Sequence, residues 1–339
     1  MELSVVRPLF HTGMGYYAGV DLGATNLSAV VGDEEGAMLG SAGRPTPQGP
    51  TGIEVTEAVL RTVREACEEA GVEPHEIRAA GIGSIGPFDL AEGMVVNPAN
   101  LPNTIDRIPL VGPIEKLVES RQVYLHNDTN AGVIGERFHA DRNPDDMVYL
   151  TISSGIGAGV SVDGAVLDGW DGNAGEVGHF TVDPQGRLTC GCGHDGHWEA
   201  YCSGNGIPRY ARFLYEHGGE PVDTGLPIEE PDFSAADVFR HLEDDSFARR
   251  VVEQVGHWNA IGVANVVHAY APLVIYVGGA VTLNNESAIL DPIRERLDEM
   301  VMSNVPDVEL TTLGEDVVVR GALASALTRG TGDRTQMRR

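Results

Sequence analysis

From Gly169 the chain reads Gly-Trp-Asp-Gly-Asn-Ala-Gly-Glu-Val-Gly-His to His179, and from Cys190 it reads Cys-Gly-Cys-Gly-His-Asp-Gly-His-Trp-Glu to Glu199. Thiolates and imidazoles are the donors of closed tetrahedral zinc sites. Cys190, Cys192 and one later histidine can come from a single tight glycine-rich loop, and His179 can close the sphere. Of the four cysteines, Cys190, Cys192 and Cys202 share this short region, while Cys67 stands apart. Such clustering suits metal ligation better than a disulfide framework. A nucleic-acid zinc finger is the competing module, but the ligand spacing does not fit one. Glu176 and Glu199 bracket the ligands. They are either ordinary surface acids or, carried on a metal-pinned loop, acceptors for the hydroxyls of a sugar.

Two further stretches, Asp21-Leu22-Gly23-Ala24-Thr25-Asn26 and Ser153-Ser154-Gly155-Ile156-Gly157-Ala158-Gly159, are glycine turns that follow short apolar runs. Glycine lets backbone N–H groups come close to phosphate oxygens and point at them. Thr25 and Asn26 add side-chain donors. Asp21 would supply a carboxylate where a Mg2+–phosphate complex can be held, directly or through water. Either turn alone also reads as a tight hairpin; facing each other, the two can clamp a triphosphate. Gly278-Gly279-Ala280-Val281 either lets a nucleotide base or ribose pack closely or is a turn that needs small residues. Asn127-Asp128-Thr129-Asn130 reads as helix capping by Asp128 or Asn130. Its other reading is a carboxylate at a strand end that takes the proton of an attacking hydroxyl, as phosphoryl transfer requires.

Alternating strands and helices must position these groups. Ala18–Asp21 and Leu27–Gly32 read as strands around the first turn; Met147–Ser153 and Ala158–Val162 read the same way around the second. A strand after the glycines, where a P-loop or dinucleotide fold needs a helix, makes both of those folds unlike this chain. The spacing of Val55, Val59, Val63, Cys67 and Ala70 predicts a helix over Glu54–Ala70, stopped by Gly71. Strands are expected at Ala79–Ile85, Val123–His126 and Leu273–Val277. Helices are expected from about Asn130 to His139, over Phe247–Tyr270 and over Gly321–Thr328, with Val317–Val319 as a last strand. Residues 1–16 read as a loose tail and Gly218–Asp232 as a surface loop. The repeated strand–turn–strand unit predicts two related α/β halves with a cleft between them.

Charge sets the exclusions. Fifty Asp and Glu against 23 Lys and Arg give a formal net charge of −27, and Lys116 is the only lysine. Nucleic acid and anionic membranes, both polyanions, are disfavoured partners. A surface this acidic fits a salt-rich, halophilic cytoplasm, where self-repulsion is screened. No apolar run is long enough to span a bilayer and the start of the chain does not read as a signal peptide, so a cytoplasmic protein is expected.

The chain resembles the ROK family of sugar kinases and sugar-responsive repressors. The resemblance runs from Asp21 to the final helix and is most specific in Gly175–His179 and Cys190–Glu199. Asp21–Asn26, Gly81–Pro87, Asn97–Pro102, Asn127–Glu136, Thr151–Gly159 and Gly278–Val281 support it. It implies an α/β, actin-like ATPase (ribonuclease H-like) fold. One domain would span residues 17–125, completed by the helix at about 315–330; the other would span 126–314. It implies Asp128 as catalytic base, with Asn100, Asn127, Asp128, Glu176, His179 and Glu199 as sugar contacts. Asp21, Gly23, Thr25, Asn26, Ser154 and Gly155 fall on the phosphate loops, and Gly278 and Gly279 belong to the nucleotide site. His179, Cys190 and Cys192 match three zinc ligands. The fourth, usually a cysteine, falls on His197, with His194 and Cys202 as substitutes. Ala24 and Asn26 stand where glycine and lysine are usual. The implied activity is phosphorylation of glucose, or a close hexose, at the 6-hydroxyl, with ATP, Mg2+ and a structural Zn2+, in a dimer or tetramer. Fructose, mannose and N-acetylhexosamines are alternative acceptors. A sugar-sensing regulator is the rival, and the early position of Asp21 leaves little room for a DNA-binding domain before it.

Overall fold

The computed structural model describes residues 15–98, 101–218 and 223–338. Most of the expected tail lies outside the described residues, and Tyr16 already opens the first strand. Strands β1 (Tyr16–Leu22), β2 (Asn26–Gly32) and β3 (Met38–Pro45) form an antiparallel meander. Helix α1 (Gly52–Ala70) starts with a Thr51–Glu54 capping box, buries Val55, Val59, Val63 and Cys67, and stops at Gly71 in the left-handed region. Strand β4 (Ile77–Ser84) lies parallel to β1. A small sheet of β5 (Phe88–Asp89), β6 (Met94–Val96) and β7 (Arg107–Pro109) comes next, then helix α2 (Val111–Val118) and strand β8 (Val123–Asn127). The main sheet of this half runs β3-β2-β1-β4-β8.

Helix α3 (Asp128–His139) leads into the second half. There β9 (Met147–Ile152), β10 (Ile156–Val162) and β11 (Ala165–Val166) repeat the meander. A long connection leads to α4 (Glu199–Cys202), α5 (Gly206–His217), α6 (Ala235–Arg240) and α7 (Ser246–Tyr270). Strand β12 (Val274–Gly278) lies parallel to β9; α8 (Ala280–Asn284), α9 (Glu286–Met300) and β13 (Asp307–Leu310) follow. The second sheet runs β11-β10-β9-β12-β13. In both sheets the opening strand lies between its hairpin partner and a parallel strand, so the two glycine turns, β1–β2 and β9–β10, occupy equivalent places. The expected pair of strand–turn–strand units is present.

Helix α10 (Val317–Thr328) follows the second sheet in sequence but packs on the first, against β1 and β4, and on α3. The approach is backbone-close. A Cβ on Gly321 would collide with the carbonyl of Ala131 in α3, and one on Gly81 with that of Ala322. Only residues without a side chain permit such a crossing.

Two expectations need correction. Val317–Val319 is the first turn of α10 and not a strand. Three consecutive β-branched residues favour a strand locally, but α10 is buried along most of its length, and that tertiary packing decides. Helix α3 begins at Asp128, with Asn127 as its cap, in place of Asp128 or Asn130. Among the described residues no helix is long and apolar enough to cross a membrane.

Candidate active site

The ends of β1, β8 and β9 and the start of α3 bring the candidate residues together. Asn127 closes β8 and caps α3: its Oδ1 accepts from the Thr129 amide at 2.9 Å and from Thr129 Oγ1 at 2.8 Å. Only its side-chain amide nitrogen is left free of the cap. Asp128 is the next residue, and its Oδ1 accepts from the Thr129 amide at 2.8 Å. Loss of hydration pushes the Asp128 carboxyl up to about 6, against the pull of that amide, with the charge of Glu176 adding to the rise. Asp21, near the end of β1, is pushed up to about 7, first by burial and then by Asp128. Burial raises Glu176 too, against the pull of His179, with Glu199 adding to the rise. Four carboxyls from four separate segments therefore share one electrostatic neighbourhood, suited to hydroxyl donors and to a divalent cation.

The turn Gly23–Asn26 closes with Gly23 N donating to Asn26 O at 2.9 Å. Its other carbonyls are committed outward: Thr46 Oγ1 donates to Gly23 O at 2.8 Å, Thr46 N to Thr25 O at 2.8 Å and Gln48 to Ala24 O at 2.9 Å. In the second turn Ser153 N donates to Gly155 O at 2.9 Å, and Gly204 N to Ser153 O at 2.6 Å. Gly279, at φ 87°, lies against the end of β9, where a Cβ would collide with Ile152 O. Beyond it Ala280, Val281, Asn284, Asn285, Ala235 and Phe239 line a cavity of about 570 Å³.

The loop Gly175–His179 lies directly on β10. Ala158 N donates to Gly175 O at 3.0 Å. His179 Nδ1 lies 3.7 Å from Cys190 Sγ, while its Nε2 lies 3.6 Å from Glu176 Oε2. One ring thus faces the Cys190 thiol with one nitrogen and the Glu176 carboxylate with the other. Cys192 Sγ lies 3.2 Å from His197 Nδ1. The donor atoms of His179, Cys190, Cys192 and His197 all fall within 4.8 Å of one another. A tetrahedral zinc ion with bonds of about 2.0–2.3 Å holds its donors about 3.3–3.8 Å apart, so this Cys2His2 set fits zinc. Cys202 does not belong to it: its buried thiol donates to Val255 O at 3.5 Å. His194 lies outside the set: its Nδ1 is 3.7 Å from Cys192 Sγ and its ring stacks on His197. Behind the loop, buried Asp183 accepts from the amides of Gln185 and Arg187, both at 3.0 Å, and from Tyr201 Oη at 2.7 Å.

Glu199 follows the last zinc-ligand candidate by two residues, and its Oε2 accepts from Ile156 N at 2.9 Å. Asn100 lies outside the described residues. The structure adds Asp168, which composition and spacing do not single out. Asn130, almost fully buried in α3, donates from Nδ2 to Asp168 Oδ1 at 2.9 Å. That bond ties α3 to the start of the Gly169–His179 loop.

The ROK family model matches residues 17–329. The chain is 36% identical to a glucokinase of Pyrobaculum calidifontis over 320 residues, covering 92% of this chain and 95% of that one. It is similar to the crystal structure of a ROK hexokinase from Thermus thermophilus, with a TM-score of 0.75, 34% identity and coverage of 92% and 97%. A ROK family glucokinase from Streptomyces griseus, solved with glucose and AMPPNP, gives a TM-score of 0.70 and 29% identity, with coverage of 92% and 99%.

Proposed function

The chain belongs to the ROK family and has its actin-like ATPase fold, and on that premise we propose that this hexose kinase transfers the γ-phosphoryl group of ATP to the 6-hydroxyl of glucose. The observation that carries the proposal is the convergence of Asp128 with Glu176 and Glu199 beside four clustered thiol and imidazole donors. In this reading the sugar lies between the two halves, 17–125 with about 315–330 and 126–314. Asn127 would donate from its side-chain nitrogen; Glu176, Glu199 and the Nε2 side of His179 would hold further hydroxyls, with Asn100 as an added contact.

Asp128 takes the proton from the 6-hydroxyl as that oxygen attacks the γ-phosphorus in line. Its raised affinity for a proton makes it a better acceptor than an exposed aspartate. The phosphates of ATP lie between Gly23–Asn26 and Ser154–Gly155, and the base packs beyond Gly278-Gly279 in the 570 Å³ cavity. Asp21 would hold Mg2+, directly or through water; the ion would neutralise charge on the phosphates. The Cys2His2 set would hold Zn2+ as a structural ion that fixes the loop carrying Glu176 and His179. Closure of the halves excludes water. A cytoplasmic homo-oligomer, dimer or tetramer, in a salt-rich cell belongs to the same reading.

A coupled assay with ATP over glucose, fructose, mannose, N-acetylmannosamine and N-acetylglucosamine tests it. Glucose should give the highest kcat/KM. Turnover of none of these sugars would remove the proposal; a preference for another would move only the acceptor.

A further inference from the structure

Glu199 sits at a junction that sugar binding alone does not require. One of its oxygens, Oε2, accepts from the amide of Ile156, the residue that follows Ser153-Ser154-Gly155 in the second glycine turn, at 2.9 Å. The other, Oε1, lies 3.7 Å from Cys190 Sγ in the Cys2His2 cluster. The carboxylate also fills the space beside Gly155, where a Cβ would lie 2.6 Å from Oε2. The turn is held from the same segment a second time, by Gly204 N on Ser153 O at 2.6 Å. The shape of the second phosphate loop is thus set by the segment that starts at His197.

We propose that Glu199 is a positioning residue for the nucleotide: through Ile156 it holds the second phosphate loop in its phosphate-binding shape and makes that shape depend on the order of the metal-pinned loop. The inference rests on the hexose-kinase reading. It gives Glu199 a task separable from any contact with sugar, because the Ile156 bond joins two segments of the chain itself. Whatever tightens the loop around Cys190 and His179, a bound sugar included, tightens the phosphate loop by the same route, and nucleotide favours sugar reciprocally.

The decisive measurement is the affinity for MgADP in the absence of sugar, by calorimetry on the zinc-loaded full chain, for Glu199→Asp and Glu199→Gln. Aspartate keeps the charge but is one methylene too short to reach Ile156. Glutamine keeps the length and an acceptor oxygen but loses the charge. Glu199→Asp should bind MgADP roughly tenfold more weakly, the effect of losing one hydrogen bond to a charged acceptor. Glu199→Gln should stay within about threefold of the parent, because a neutral acceptor retains about half of such a bond. Unchanged affinity in Glu199→Asp, or an equal loss in both variants, overturns the inference.

Hydrogen exchange on the unmodified chain gives a second arm that needs no variant. Saturating glucose without nucleotide should slow exchange in the segment 153–157, and exchange there that ignores glucose in a chain that phosphorylates it also overturns the inference. A chain that phosphorylates no hexose defeats the functional reading instead. Unaltered MgADP binding in Glu199→Asp, with a parent chain that phosphorylates hexose, defeats only this one.

Discussion

Asp128→Asn should fold, bind hexose and MgATP, and turn over about 10²- to 10⁴-fold more slowly, the range a positioned general base supplies. The substitution is close to isosteric, and an amide oxygen can still accept from the Thr129 amide. The cap of α3 is untouched because it belongs to Asn127. Stability should not fall, since removing this charge relieves its repulsion with Asp21 and Glu176. The loss should appear in kcat with little change in KM, the pattern of an interaction made at the transition state. The pH profile gives an independent signature. The Asp128 carboxyl is raised to about 6, and only its deprotonated form accepts a proton, so the parent's rate should climb as pH rises through about 6 and level off above. The residual rate of Asp128→Asn should lack that limb. A variant that keeps near-parental kcat would take Asp128 out of the mechanism.

Loss of the fourth zinc donor should have the next largest effect. His197→Ala should purify with little zinc, measured by metal analysis, and bind hexose at least about tenfold more weakly, because ligand loss in a closed zinc site removes folding energy from the loop it closes. His197→Cys should keep both, since thiolate is an equally good donor. The damage should be confined. The Asp183 cluster and the core residues Trp198 and Tyr201 lie behind the loop and hold the surrounding fold. A fall in melting temperature on the order of 10 °C, with a single transition, fits that picture. A zinc-free His197→Ala with parental sugar affinity would separate the metal from the sugar loop.

The strand–turn–strand units, α1 and α7 were legible because their signals are local: period, cap and stop residues lie within one window of sequence. Val251, Val255, Trp258, Gly262 and Val266 are all buried on α7 as their spacing implies. The zinc-ligand candidates were legible because their chemistry is rare and clustered. Val317–Val319 misled because a helix pressed between a sheet and another helix has no polar face, and valine's local preference is then the only visible signal. The short β5, β6 and β7 carry too few residues to show a period. Asp168, and the bond from Glu199 to Ile156, were out of reach for a different reason. Each joins segments distant in sequence, and an aspartate or glutamate in so acidic a chain carries no mark of its partner.

The position of α10 has a consequence for how the molecule comes into being. The chain is made from its N-terminus, and domains generally fold as units as they emerge. Yet the face of β1 and β4 is covered by α10, the last α-helix synthesised among the described residues. The earliest-made sheet therefore waits with one apolar face bare while the whole second half is translated. A chain released before Val317 would hold all the strands of the second sheet beside an uncovered first one, the species on which a holding chaperone would act.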